Sequence, residues 1–187
     1  MWDGLLRIPE VDVKRIVITG GPGSGKTTLI DALREMGYPV HMERARELIK
    51  DADQGLHTSS PWLNHREFAD KVFEARMKDY EQAEFGSFNF YDRGLPDTLA
   101  YLKRDGHSIP DDWISLVMAH RYEKTVFIAP PWEEIYSADS ERKEKTDELE
   151  SIHSHLWDTY ENLGYQLIEL PKLPIEDRLQ FIIDTLS

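Results

Sequence analysis

Apolar residues along the chain come in short bursts separated by longer stretches with helical spacing. The bursts are Ile16-Val17-Ile18 within RIVITG, then PVHME (39–43), FNFYD (88–92), TVFIAP (125–130) and QLIELP (166–171). They are β-branched or aromatic and are bounded by Gly, Pro or charge, so they predict strands. Between them run stripes that predict helices with one buried face. Residues 27–36 form the first and stop at Gly37 with Pro39 behind it. Ser60-Pro61 reads as an N-cap with Pro at the first helical position, opening a helix that carries Phe68, Val72, Phe73, Met77 and Tyr80. Leu149, Ile152, Leu156, Tyr160 and Leu163 mark another stripe, ending at Gly164. Ile175, Leu179, Ile182, Ile183 and Leu186 mark the last. Strand–helix alternation of this kind predicts an α/β fold, a doubly wound and mostly parallel sheet of five strands. In such sheets ligands sit beyond the carboxyl ends of the strands.

The first strand runs into Gly20, Gly21, Pro22, Gly23, Ser24, Gly25, Lys26, Thr27 and Thr28. Gly20 to Thr27 matches G-x-x-x-x-G-K-[ST], with a strand before it and a helix after it, as a P-loop requires. The glycines let backbone amides close on a phosphate, and the helix N-terminus adds partial positive charge. Gly21 to Thr28 are therefore candidate nucleotide-binding residues, Lys26 the cation for the β- and γ-phosphates and Thr27 a hydroxyl for Mg²⁺.

Three further groups are candidates for chemistry. Asp92 ends the third apolar burst, where a P-loop protein holds Mg²⁺. It also fits a general base on an acceptor hydroxyl, or an N-cap for the helix opening at Pro96, with Asp97 an acid of that helix's first turn. Arg93 reads either as a clamp on phosphate or an acidic acceptor, or as a surface ion pair. Glu43 ends the second burst and reads either as an acid–base or acceptor-hydroxyl residue, or as the charged start of a helix with Arg44 and Arg46. The run Ser140-Glu141-Arg142-Lys143-Glu144-Lys145 suits a cationic lid over the phosphates or a solvated helix face. Trp62, Trp113, Trp132 and Trp157 read as core or pocket wall. His153 and His155 do not share a helix face, and no histidine pattern resembles a metal motif.

Composition narrows the partners. The 187 residues carry 22 Lys+Arg against 35 Asp+Glu, a net charge of −13, which repels nucleic acid and anionic lipid. Cysteine is absent, which removes disulfides and thiol chemistry and suits a reducing compartment. No apolar run approaches a membrane span and the start lacks a signal-peptide pattern, so the expectation is a cytoplasmic protein with no membrane and no nucleic-acid partner. Residues 1–187 are expected to form one domain. A homodimer is an allowed assembly on which the sequence is silent.

GGPGSGKTT, YDRGLPDTLAYL, APPWEEIY, ERK and GYQLIELP together resemble the NadR/thymidylate-kinase-like P-loop ATPase family of AAA-type ATPases and kinases, over about residues 15–185. The resemblance implies a nucleoside-monophosphate-kinase-like P-loop NTPase core with strand order 2-3-1-4-5 and a helical lid at about 137–148. It implies ATP and Mg²⁺, with Asp92-Arg93 as the strand-end pair and Arg142 as the lid arginine. The leading expectation is a small-molecule kinase that moves the γ-phosphoryl group of ATP to a nucleoside- or nucleotide-like acceptor. Lys26, Asp92, Arg93, Arg142 and Glu43 would be its catalytic residues, Thr27 and Asp92 its metal ligands, and Arg46 would join Glu43 and Arg93 at the acceptor. The alternative is an ATPase or nucleotide-binding module acting through a protein partner.

Overall fold

The alternation in β1 (Lys14–Gly20) sends Ile16 and Ile18 to one side of the sheet and Val17 to the other, so both faces need cover. The computed structural model describes residues 12–53, 65–135 and 146–187. Among them β1 is followed by α1 (Lys26–Glu35), β2 (Val40–His41), α2 (Arg44–Asp53), α3 (His65–Glu81) and β3 (Phe88–Asp92). Then come α4 (Leu95–Arg104), α5 (Asp111–Ala119), β4 (Thr125–Ala129), α6 (Thr146–Asn162), β5 (Gln166–Glu169) and α7 (Ile175–Leu186). The strands form one five-stranded sheet in the order β2-β3-β1-β4-β5, and every pairing is parallel. That is the doubly wound architecture and strand order expected above.

All five residues of β3 are buried, as a central parallel strand requires. On one face Ile16, Ile18, Phe90 and Phe127 pack with Leu29, Ile30 and Leu33 of α1 and Leu179, Ile182 and Ile183 of α7. On the other, Val17, Tyr91 and Val126 pack with Phe73 of α3, Leu95 and Leu99 of α4, Trp113 of α5 and Tyr160 of α6. Each such apolar side chain contributes about 1.5–3 kcal/mol by leaving water. Trp113 stacks on Phe73 with ring centroids 4.0 Å apart, so it is core, as its sequence context suggested. Asn89 is a polar residue within the sheet. Its amide donates to the carbonyls of Glu84 and Ser87 and its Oδ1 accepts from the Glu84 N–H, which ties the α3–β3 loop to the strand.

Some boundaries differ from the sequence reading. β2 is only two residues long, and Glu43 stands two residues beyond it, immediately before α2. The helix α5 had no sequence-based expectation. The N-cap of α4 is Gly94, not Asp92. Asp97 Oδ2 accepts the Gly94 N–H at 2.8 Å, which is the capping role its first-turn position suggested. Ser60-Pro61, Trp62 and most of the lid at about 137–148, Arg142 included, lie outside the described residues. Among the described residues no helix is long and apolar enough to cross a membrane.

Candidate active site

Of the residues singled out by sequence, Lys26, Thr27, Glu43, Asp92 and Arg93 come together where the carboxyl ends of β2, β3 and β1 meet. Gly20 closes β1 with φ +137°, and a Cβ there would run into the Ala129 carbonyl oxygen on β4. This close approach lets the chain leave the sheet and wrap into the loop. Gly25, at φ +77°, is the left-handed N-cap of α1, so the first helical amides face the loop. Ser24 and Lys26 are buried beneath it. Lys26 Nζ donates to the Gly21 carbonyl at 2.6 Å and to Ser24 Oγ at 3.2 Å. Burial, then repulsion from Arg93, lowers the Lys26 pKa to about 8, against the pull of Asp92 and Glu43.

Asp92 lies opposite Ile18 in the β1–β3 register and is 3% exposed. Both of its carboxylate oxygens are buried with no hydrogen-bond partner. Burial, then repulsion from Glu43, raises its pKa to about 6, against the attraction of Lys26 and Arg93. A buried carboxylate with both oxygens unused is a costly arrangement unless a cation or donor arrives. That fits Mg²⁺, a hard cation that takes one or two protein oxygens and keeps waters or phosphates for the rest. Thr27, half-buried, lines the cavity and adds a hydroxyl of the right kind.

Arg93 is the residue among those described, glycines aside, with positive φ, at +74°. Such a conformation costs on the order of 1–3 kcal/mol and persists where surroundings over-determine it. Here its N–H donates to the Ile18 carbonyl, its Nε to Glu43 Oε1 at 2.5 Å, and its Nη1 to Asp97 Oδ1 at 3.5 Å. It is 4% exposed, so the surface-ion-pair reading is corrected: the pair is internal. Burial alone would raise the Glu43 pKa, but Arg93, then Lys26 and Arg76, outweigh it and hold it near 2. Glu43 is therefore an ionised partner that fixes the guanidinium, and a weak base at neutral pH.

Asp97 holds the other end of this arrangement and is fully buried. It accepts from Thr19 Oγ1 and Tyr160 Oη, each at 2.5 Å, besides Gly94 N–H and Arg93. One carboxylate thus ties the end of β1, the start of α4 and the C-terminal end of α6. Arg44 and Arg46 part company: Arg44 makes a bidentate pair with Asp79, whereas Arg46 faces the cavity.

That cavity measures about 1150 Å³, larger than the roughly 300–1,000 Å³ usual for a single ligand pocket. The loop, Pro22 to Thr28, lines it, and the strand order, with β1 in the middle, divides the remaining lining residues between two limbs. One limb follows the ends of β4 and β5 and is lined by Trp132, Leu173, Pro174 and Arg178. Arg178 donates to the Ser24 carbonyl at 3.3 Å and lies 5.8 Å from the Trp132 ring centroid. The other limb follows the ends of β2 and β3, with Glu43, Arg46, Arg93 and Tyr101 on its polar side and Ile49 and Phe68 on its apolar side. Arg76 of α3 also lines it and has no motif to announce it. Its signal in the sequence is a charge on the apolar face of α3, one turn after Val72. Among the described residues, no group of three or more His, Cys, Asp or Glu could hold a metal.

The family model described as an AAA domain matches residues 15–178. A nucleotide-binding protein of Oceanobacillus iheyensis is 33% identical over 75 residues, covering 35% of this chain and 26% of that protein, so the match spans about a quarter of its length. Among solved structures, a NadR protein in complex with NR aligns with TM-score 0.66 and 19% identity over 92% of this chain and 50% of that one. Thymidylate kinase from Ehrlichia chaffeensis aligns with TM-score 0.62 and 16% identity over 95% and 100%. Deoxyadenosine kinase from M. mycoides with bound dATP gives 0.59 and 18% over 92% and 98%. At these identities the structures speak for a shared fold, the P-loop kinase fold. The match across 15–178 settles the family: the chain belongs to the AAA-domain family, as its resemblance to the NadR/thymidylate-kinase-like P-loop ATPases implied.

Proposed function

We propose that the protein is an ATP- and Mg²⁺-dependent phosphotransferase acting on a small nucleoside- or nucleotide-like acceptor. The observation that carries this reading is the two-limbed cavity, lined by the phosphate loop, with Glu43, Arg46 and Arg93 on the limb away from Trp132 and Arg178. A hydrolase or a binding module has no need of that second limb. The Trp132–Pro174 limb would take the base of ATP. The loop amides and Lys26 would hold the β- and γ-phosphates, Lys26 exchanging its bonds to Gly21 and Ser24 for phosphate oxygens. Thr27 and Asp92 would hold Mg²⁺. When bound, Mg²⁺ neutralises charge on the β- and γ-phosphates. Arg93, fixed by Glu43 and Asp97, would orient the acceptor, and Arg142 would close over the phosphoryl group.

In the transfer, an acceptor oxygen bonds to the γ-phosphorus as the bond from that phosphorus to the bridging oxygen breaks. The electron pair leaves with ADP, and a hydroxyl acceptor gives up its proton to a carboxylate or water. Catalysis is then mainly positioning and electrostatics. Proteins of the same fold, among them deoxyadenosine, thymidylate and shikimate kinases, support a transferase. The test is a screen of nucleosides, nucleotides and related alcohols with Mg-ATP, read by radiolabel transfer. Phosphorylation by wild type well above the Asp92→Asn background is expected. No transfer to any acceptor, with ATP hydrolysis that a protein partner accelerates, would replace this reading with a regulatory ATPase.

A further inference from the structure

Arg76 is 5% exposed, on the face of α3 that also buries Ala69, Val72 and Phe73. Its Nη1 donates to Thr98 Oγ1 of α4 at 2.6 Å, and its Nε is buried with no acceptor. Among the described residues no carboxylate lies within ion-pair distance of it. The carboxylate one turn further along α3, Asp79, is taken by Arg44 in a bidentate pair. Arg93, by contrast, has both Glu43 and Asp97. Glu43 feels the Arg76 charge, but at a distance where no ion pair forms. A buried guanidinium N–H left without an acceptor is costly, and in Arg76 it belongs to a side chain that lines the acceptor limb of the cavity.

Arg46 and Arg93 line the same limb, where Arg104 and Asp105 pair with each other at 2.7 Å. Ile49, Phe68, Val72 and Leu102 provide an apolar wall beside it. A planar guanidinium with unused N–H groups suits the two oxygens of a phosphate or carboxylate.

We propose that the acceptor carries an oxyanion, a phosphate monoester or a carboxylate, which Arg76 receives from the α3 side with Arg46 and Arg93 beside it, and that neutral nucleosides are not acceptors. This rests on the phosphoryl-transfer reading of the same cavity and narrows it. Arg76 is a binding residue for the acceptor and takes no part in the bonds that form and break.

The experiment has a binding arm and a turnover arm. Wild type is saturated with Mg²⁺ and AMP-PNP so that the phosphate loop is filled. Thermal protection is then measured with nucleoside 5′-monophosphates, the matching nucleosides, and small hydroxy acids with their uncharged alcohols. Protection confined to one anionic set is expected, and which set identifies the oxyanion. The dissociation constant of that ligand should rise roughly 10- to 150-fold in Arg76→Gln, the loss of hydrogen bonds to a charged group, with AMP-PNP affinity unchanged. Arg76→Met should behave likewise. Neither variant should lower the unfolding midpoint of the ligand-free protein, which a purely structural arginine would do.

The turnover arm uses the same compounds with Mg-ATP. Phosphorylation of a neutral nucleoside at least as well as its monophosphate overturns the oxyanion inference and leaves the kinase reading standing. Protection by an anion through Arg76 without transfer supports the anion site and sinks the kinase reading. Absence of protection by any anion, or equal protection of Arg76→Gln, overturns the inference whatever the turnover result.

Discussion

Replacing Asp92 by Asn should make the ligand-free protein more stable while abolishing its proposed metal-dependent activity. Asp92 is 3% exposed and neither carboxylate oxygen has a hydrogen-bond partner. Burial, then Glu43, lifts its pKa from 3.8 to about 6, and that figure already includes the opposing pull of Lys26 and Arg93. A rise of that size corresponds to about 3 kcal/mol, at about 1.36 kcal/mol for each pH unit. Because the folded-state value exceeds the unfolded one, the protonated carboxyl favours folding below about pH 4, and this contribution is lost as pH climbs through about 6. At pH 7.5 wild type therefore carries the full cost. Asn removes the charge but buries an amide with no evident acceptor, which returns about 1–2 kcal/mol. The expected net gain is about 1–2 kcal/mol, or roughly 2–8 °C in Tm for a chain of this size. The assay is urea unfolding of both proteins in EDTA between pH 4.5 and 7.5. The gap between them should open with rising pH and level off above about pH 6.5. A gap independent of pH, or an Asp92→Asn variant less stable than wild type at pH 7.5, would refute the reasoning that Asp92 is strained for a ligand.

Other substitutions separate positioning from binding. Lys26→Ala should leave folding intact and remove ATP protection in a thermal-shift titration, since among the described residues the hydrogen bonds of the buried ammonium go to the loop's own Gly21 and Ser24; retained protection would take Lys26 out of the site. Asp97→Ala strands Arg93, Thr19 and Tyr160 at once and should cost about 3–5 kcal/mol in urea unfolding. Arg142→Ala should lower kcat by about 10³-fold or more while ATP affinity changes little, which single-turnover kinetics can check; an unchanged kcat would remove Arg142 from the mechanism.

The phosphate loop was legible in sequence because its chemistry is local. Glycines, a lysine and a hydroxyl must follow one another between a strand and a helix, so spacing alone reveals Gly20 to Thr28. Asp92 was legible because an acid at the end of an apolar burst breaks the pattern. Its role as N-cap or ligand was not, since that depends on where Gly94 and Asp97 turn the chain. Arg93 and Glu43 read equally well as surface charges, because sequence does not say that residues fifty positions apart meet. Arg76 left only a charge on an apolar stripe, and Arg142 rests on the charged run around it and on the family resemblance.

By itself, then, the sequence determined the strand and helix alternation, the parallel sheet and the nucleotide loop, all of which follow from periodicity and contiguous motifs. The tertiary structure decided what surrounds that loop. The order β2-β3-β1-β4-β5 brings the ends of β2 and β3 to one side of Lys26 and those of β4 and β5 to the other. Only that crossing of connections makes Glu43 a partner of Arg93, buries Asp92 without one, and leaves Arg76 lining a cavity with its Nε unpaired. The physical reason is that burial and electrostatic pairing are properties of neighbours in space, and in a doubly wound sheet those neighbours are far apart along the chain.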